Sequence, residues 1–262
     1  MDWRVATLSG HKKAVNCLLP LSETLLASGS DDCTARIWDL RSQTSTKCFL
    51  RCLSQPVTAL MSLARDPPPS SSASPHLFAC VSGNSVFSFD LRSSNILEST
   101  PTEVTSFPVE EISAVKLHPH KSHYVVGDEE GALWLYSRET KGMREVGVSS
   151  TKKKKETALG HSNIISSIDF RPNSKYDMVS AGYDSRVCFW DTSRASRPLK
   201  SVDLNLIRGE EGSSFLSPSF VLDVCYACEG RLVACALANG QVNLHMNCLF
   251  CMVLDILKAM RC

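Results

Sequence analysis

An excess of charge of either sign is missing from this sequence: over 262 residues the basic and acidic side chains nearly cancel, leaving a formal net charge of +1. A nucleic-acid binder carries a basic stripe that engages phosphates, so this balance argues against that class of partner. A long apolar run is missing as well. The most apolar stretch, Cys248 to Leu257, includes Asp255 and has about half of the roughly 20 residues a helix needs to cross a bilayer, so no membrane partner is expected. The opening Met-Asp-Trp-Arg lacks the basic-then-apolar layout of an export signal. Without such a signal, the twelve cysteines point to free thiols in a reducing compartment, and nucleus and/or cytoplasm is the expected location. Nor does the chain contain a G-x-S-x-G turn, the sharp elbow that exposes a nucleophilic serine.

What the chain does have is a repeat. Gly10-His11, Ser28, Asp32 and Trp38-Asp39 recur as Gly160-His161, Ser180, Asp184 and Trp190-Asp191. In both copies Asp follows Ser by four residues and Trp follows it by ten, while the His-to-Trp spacings differ by two. Matched spacing on this scale is the mark of a stacked unit that cannot bury its apolar face alone. The residue types resemble the WD-repeat β-propeller family, in which Gly-His opens a blade and Trp-Asp closes its third strand. That resemblance implies an all-β fold, with about five four-stranded blades visible of an expected seven.

Period-two alternation between turn signals predicts where the strands lie. Blade one, near 8–53, has strands over Ala14–Leu19, Leu25–Ser30, Ala35–Leu40 and Lys47–Leu53, with Asp31-Asp32 turning between the second and third. Blade two, near 57–107, has Val57–Leu63, Leu77–Ser82 and Val86–Asp90, and Phe89-Asp90 stands for Trp-Asp. Blade three, near 112–157, has Ile112–His118, Tyr124–Gly127 and Ala132–Tyr136, with Glu130 in the Asp position and Tyr136 in the Trp position. Blade four, near 161–206, has Ile165–Arg171, Met178–Gly182 and Val187–Asp191. Blade five, near 218–246, has Val221–Ala227, Leu232–Ala236 and Gln241–Met246, with Asn239 for Asp and His245 for Trp. Three Pro-, Ser- or charge-rich inserts, Pro67–Pro75, Met143–Thr157 and Arg208–Pro218, are expected as loops. Residues 1–246 thus read as an incomplete propeller and 247–262 as a non-propeller tail, as in a truncated form of a longer protein. The family's usual closing strand from the N-terminus would be Arg4–Leu8.

Four sets of residues are candidates for chemistry. His11, Ser28 and Asp32 have the residue types of a hydrolase triad, but Ser28 lies within an alternating strand instead of on an exposed turn. The resemblance assigns them, with Trp38, a structural relay: Trp donates to Ser, Ser bonds His, and Asp accepts from His. His161, Ser180, Asp184 and Trp190 form the second copy, and no catalytic residue is expected. Cys225 and Cys228, with Cys248 and Cys251, have zinc-range spacing. The first pair falls in a predicted strand, where a three-residue offset sends the two thiols to opposite faces, so neither a metal nor any other cofactor is expected. Lys152 to Lys155, beside Lys141 and Arg144, read either as a nuclear localisation signal or as a solvated loop.

The fourth set is Asp39-Leu40-Arg41-Ser42 and Asp90-Leu91-Arg92-Ser93 in neighbouring blades. With the preceding aromatic residue, each resembles the Trp-Asp-x-Arg signature of WD-repeat substrate receptors for cullin–RING ubiquitin ligases, where the arginine contacts the ligase's damaged-DNA-binding adaptor. Blade four places Arg194 one residue later. The bland reading is a local Asp-x-Arg ion pair. The expectation is therefore a protein–protein scaffold without enzymatic activity, docking the adaptor through Arg41 and Arg92. The alternatives are a scaffold unrelated to ubiquitin and a non-functional or competing truncated form.

Overall fold

The computed structural model describes residues 6–50, 53–63, 77–93, 96–120, 122–147, 160–194, 197–207 and 220–246. Its strands form five sheets, each drawn almost wholly from one stretch of chain. Blade one is Val15–Pro20, Leu25–Ser30, Ala35–Asp39 and Thr44–Phe49; blade two is Val57–Ser62, Leu77–Ser82, Ser85–Asp90 and Glu103–Ser106. Blade three is Ile112–Leu117, His123–Asp128, Leu133–Ser137 and Met143–Gly147, and blade four is Ile165–Phe170, Asp177–Gly182, Arg186–Asp191 and Lys200–Asp203. Blade five has three strands among the described residues, Val221–Ala227, Leu232–Leu237 and Val242–Met246. Each blade is an antiparallel meander. The one parallel pairing joins the two-residue strand Leu97–Glu98 to the last strand of blade one.

Several expectations are corrected here. Met143–Gly147 is not part of an insert but the fourth strand of blade three, paired with Leu133 to Tyr136. The fourth strand of blade one begins three residues early, at Thr44, and ends at Phe49. Cys228 does not belong to the first strand of blade five but opens the short 3-10 turn Cys228–Gly230 that follows it. Ala6 to Leu8 form no strand, and Arg4 and Val5 lie outside the described residues, as do Pro67–Pro75, Lys152–Lys155, Arg208–Pro218, Cys248, Cys251 and the whole of 247–262.

One local device is copied in all five blades. The ladder between the first and second strands slips by one residue after Val15, Val57, Ile112, Ile165 and Val221. Such a bulge turns one side chain out of the sheet's regular alternation and bends the strand. In blades two to five the β-branched side chain before the bulge is fully buried or nearly so. It packs into the preceding blade at a second-strand position held by Gly29, Val81, Gly127 and Ala181 in turn. The fit is close. A Cβ on Gly127 would lie 2.7 Å from Ile165 Cγ2, and one on Gly29 would lie 2.4 Å from Val57 Cγ1, so glycine is needed at both for lack of room.

The core is four such joints in series. Phe49, Phe78 and Phe89 stack between blades one and two, with ring centroids 5.4 and 4.4 Å apart. Val81, Val86, Phe107, Ile112, Tyr124 and Tyr136 fill the second joint. Val125, Leu133, Ile165, Phe170, Met178 and Trp190 fill the third. Val179, Val187, Val221, Val224, Val233 and Cys235 fill the fourth. Polar atoms stitch the same seams: Ser113 Oγ donates to the Ile165 carbonyl (2.7 Å) and Ser166 Oγ to the Val221 carbonyl (2.6 Å).

Candidate functional site

Both relays are assembled in full. In blade one, Trp38 Nε1 donates to Ser28 Oγ (2.7 Å), Ser28 Oγ lies 2.7 Å from His11 Nε2, and His11 Nδ1 lies 3.1 and 3.2 Å from the Asp32 carboxylate. In blade four the corresponding distances are 2.8, 2.8, 3.0 and 3.1 Å for Trp190, Ser180, His161 and Asp184. The strands explain the spacing. Ser28 and Trp38 lie on adjacent strands and on one face, because Leu26 pairs with Trp38 and Ser28 with Arg36. The turn between those strands carries the Asp, which also accepts from Thr34 N–H (3.0 Å) and Lys12 N–H (2.9 Å). The residue after it adopts a left-handed backbone in blades one, three and four: Cys33 at φ 60°, Gly131 at 89° and Ser185 at 61°.

The electrostatics follow from this packing. Burial works to raise the Asp32 pKa, but Thr34, Lys12 and His11 together hold it down to about 2. Burial likewise disfavours charge on His161. The neighbouring Cys188 sulfur and the Asp184 carboxylate outweigh it, and the imidazole is pushed up to about 10. Asp184 is correspondingly lowered, by its hydrogen bonds to His161, Ser162 and Arg186 against the opposing effect of its own burial. His161 Nδ1–H donates to Asp184, Nε2 shares a hydrogen bond with the Ser180 hydroxyl, and the Ser180 oxygen accepts from Trp190.

Serine, histidine and a carboxylate in sequence are the skeleton of a nucleophilic triad, yet what surrounds these copies does not equip them for catalysis. Ser28 and Ser180 are buried, and each oxygen already accepts an indole N–H. Both lie mid-strand, where the surrounding backbone N–H groups belong to the sheet ladder, so they cannot turn toward an oxyanion as acyl transfer requires. The arrangement can fix strand register and orient the joint, which is what a fully satisfied buried polar network does.

The less regular blades have polar ties that the sequence did not disclose. Tyr136 donates its hydroxyl to Glu103 of blade two (2.9 Å), and Lys141 pairs with the same carboxylate (2.6 Å). His118, stacked on His123 at 4.4 Å, accepts at Nδ1 from His120 N–H (3.1 Å). Its Nε2–H is left to donate to the Ser174 carbonyl of blade four (3.1 Å). Burial, with His118 next to the ring, takes His123 down to about 4. Cys225 and Cys228 are both exposed, and no group of side chains that could hold a metal ion occurs among the described residues. The side chain of His245 lies outside the described residues.

The arginine loops follow one plan. Arg41 N–H donates to Asp39 Oδ1 (2.8 Å), Arg92 N–H to Asp90 Oδ1 (2.9 Å) and Ser193 N–H to Asp191 Oδ1 (2.9 Å). The Asp after each third strand thus shapes its loop through its own backbone. The guanidinium groups differ. Arg92 Nε is 3.0 Å from both Asp90 oxygens and a terminal nitrogen is 2.5 Å from Oδ2, although the side chain is 68 % exposed. Arg194 pairs with Asp191 at 3.3 Å. Arg41 is exposed, and its side chain makes no hydrogen bond or ion pair among the described residues.

Relay, bulged joint and four-stranded meander together define a class: the chain carries WD repeats, and its described residues fold as a series of β-propeller blades. The family described as "WD domain, G-beta repeat" matches residues 3–39 and 152–191, the stretches that contain the two complete relays. Over 91 % of its length the chain is 25 % identical to the WD repeat-containing protein 53 homolog of Dictyostelium discoideum, and the match covers 63 % of that relative. It is 24 % identical over 208 residues to the ribosome biogenesis protein ytm1 of Botryotinia fuckeliana, covering 79 % of this chain and 39 % of that one. A shorter match, 37 % identical over 43 residues (16 % of this chain and 11 % of the other), is to the human EARP and GARP complex-interacting protein 1. The chain thus spans less than two thirds of the length of these relatives, all of which are larger. WD repeats and relatives of this kind mark a protein-interaction scaffold.

Proposed function

We propose that this scaffold is a substrate receptor of a cullin–RING ubiquitin ligase, docking the ligase's damaged-DNA-binding adaptor through the loops after the third strands of blades one and two. The observation that carries the reading is Arg41, a guanidinium held out on an Asp-shaped turn with no partner among the described residues. A planar fork of this kind forms several charge-assisted hydrogen bonds at an interface without giving up an existing one. Arg92 occupies the equivalent place one blade on, but must exchange Asp90 for the adaptor. Arg41 is therefore the stronger anchor. Such a receptor would work in the nucleus, the cytoplasm or both.

The test is co-precipitation of the adaptor with the full chain, beside Arg41→Ala, Arg92→Ala and the double variant. Adaptor retained by the parent, reduced slightly by Arg92→Ala and about tenfold or more by Arg41→Ala, supports docking by this face, since an interface arginine of this kind is worth about 2 kcal/mol or more. Equal retention by parent and double variant moves the contact elsewhere. A folded parent that retains none returns the chain to the second reading, a scaffold for a different multi-subunit assembly. The short likeness to a complex-interacting protein favours that reading.

A further inference from the structure

The repeated joint has one half left over at each end. In blades two to five the side chain before the bulge (Val57, Ile112, Ile165 or Val221) is at most 1 % exposed, because the preceding blade covers it. Its counterpart in blade one, Val15, is 48 % exposed, and Leu18 on the same face is also exposed, where blade four buries Ile168. Around them lies a groove of about 310 Å³, lined by Leu8, Val15, Leu18, Leu26 and Trp38 and reaching down to Ser28 and His11 of the relay. At the other end stands the receiving face. Residue pairing places Ala236 where blades one to four have Gly29, Val81, Gly127 and Ala181, and places Val242 opposite it. The counterparts of Val242, namely Ala35, Val86, Leu133 and Val187, are at most 1 % exposed, while Val242 itself is 69 % exposed and Leu244 beside it is exposed too.

We propose that this chain self-associates head to tail, the outer face of blade five in one copy seating on the outer face of blade one in the next. Val15 would fit over Ala236 as Val57 fits over Gly29, and Val242 and Leu244 would cover the groove above Trp38. The two faces are not alike, so each can complete only the other. The contact is heterologous, leaving a free end on every dimer, and it grows into a ring or an open chain. The choice of occupant rests on continuity with the four joints already in the fold, which bury these same positions in this same pairing. The new joint differs in one respect. Where Ser113 and Ser166 donate across the seam, blade five presents Leu222, which is 48 % exposed, so the contact is wholly apolar at that point.

The test is sedimentation velocity of the full 262-residue chain over a concentration series, beside Val15→Glu and Val242→Glu. Both side chains are solvated in the single copy, so the circular dichroism and melting midpoint of the variants should match the parent; Leu244→Glu serves as a second variant of the blade-five face. The expected result is a parent whose sedimentation coefficient climbs with concentration and variants that each stay single. An equimolar mixture of Val15→Glu and Val242→Glu should stop at two copies, because one intact joint survives between them. A parent that remains single at every concentration overturns the proposal and shows both faces to be covered from within the chain or solvated. Association lost in Val15→Glu but kept in Val242→Glu and Leu244→Glu overturns it as well, by showing that like faces meet.

Discussion

Removing the hydroxyl of Ser180 tests the structural role of the relay most directly. Ser180→Ala leaves the Trp190 N–H and the His161 Nε2 without their common partner, at a place where all three residues are at most 2 % exposed and no water replaces the oxygen. Each orphaned buried group costs about 1–3 kcal/mol, so the loss should be about 2–5 kcal/mol in denaturant unfolding followed by tryptophan fluorescence. The same change in blade one, Ser28→Ala, should cost clearly less, because the groove beside Trp38 and Val15 lets solvent reach His11 and the indole. A cycle with Trp190→Phe adds a second check. Phenylalanine removes the donor that Ser180→Ala orphans, so the double variant should be more stable than the sum of the singles predicts, by about 1–2 kcal/mol. The reasoning fails if Ser180→Ala unfolds within about 0.5 kcal/mol of the parent, or if Ser28→Ala costs as much as Ser180→Ala.

The raised pKa of His161 has a definite sign. A base whose folded value, about 10, lies above its ordinary 6.5 contributes stability that is fully present below 6.5 and drains away as pH climbs toward 10. The parent's melting point should therefore fall between pH 6.5 and 9, and that fall should be absent in His161→Gln. Above pH 9 the half-buried thiol of Cys17 and the buried one of Cys235, raised to about 11 and about 12, add a loss of their own, so the comparison belongs below it. The close fit at the blade joint predicts that Gly127→Ala, which sets a methyl 2.7 Å from Ile165 Cγ2, costs about 1–3 kcal/mol by overpacking. Combined with Ile165→Ala it should cost less than the sum of the two in chemical denaturation; additive losses would show that the two residues do not press on each other.

The second and third strands of each blade could be read from the sequence to within a residue or two, because the second strands of blades one to four are buried along most of their length and the third strands of blades one to four end on an aromatic residue followed by a short polar one. The fourth strands were harder. Thr44–Phe49, Glu103–Ser106 and Lys200–Asp203 carry mostly solvated side chains, and Met143–Gly147 sits beside a lysine run that reads as loop. Burial gives such a strand too few apolar positions to announce its period. The relays were legible for the opposite reason. The Ser, Asp and Trp spacing is set by hydrogen bonds between adjacent strands of one blade, so it stays constant, and each relay fits within 30 residues. The bulged joint was hidden, since a bulge shifts alternation by one residue and looks like noise. Its trace is nonetheless present as a β-branched residue followed by a small polar one in Val57-Thr58, Ile112-Ser113 and Ile165-Ser166. The tie from His118 to Ser174 spans 56 residues, and nothing local in the sequence marks it.

The distribution of the relays follows from what each blade must hold in place. The relay face of blade four packs against the preceding blade, so it controls the geometry of one joint. In blade four that joint is sealed by Val125, Leu133 and Leu135, and the relay residues beneath them are buried. Blades two and three meet their neighbours through rings instead: Phe78 and Phe89 in one, Tyr124 and Tyr136 in the other, the latter with a hydroxyl that reaches Glu103. Rings fill the seam without a serine, so the sequence there was free to lose the motif. Blade one keeps the full relay although no blade of the described structure covers it, and its Asp32 still ties the turn to the segment that carries His11. A hydrogen-bonded network maintains the shape of an uncovered face before anything arrives, whereas a bare cluster of apolar rings would collapse or repack when left open. The intact relay under an exposed Val15 and Leu18 is therefore what the proposed head-to-tail joint requires of blade one, a face already in shape before its partner arrives.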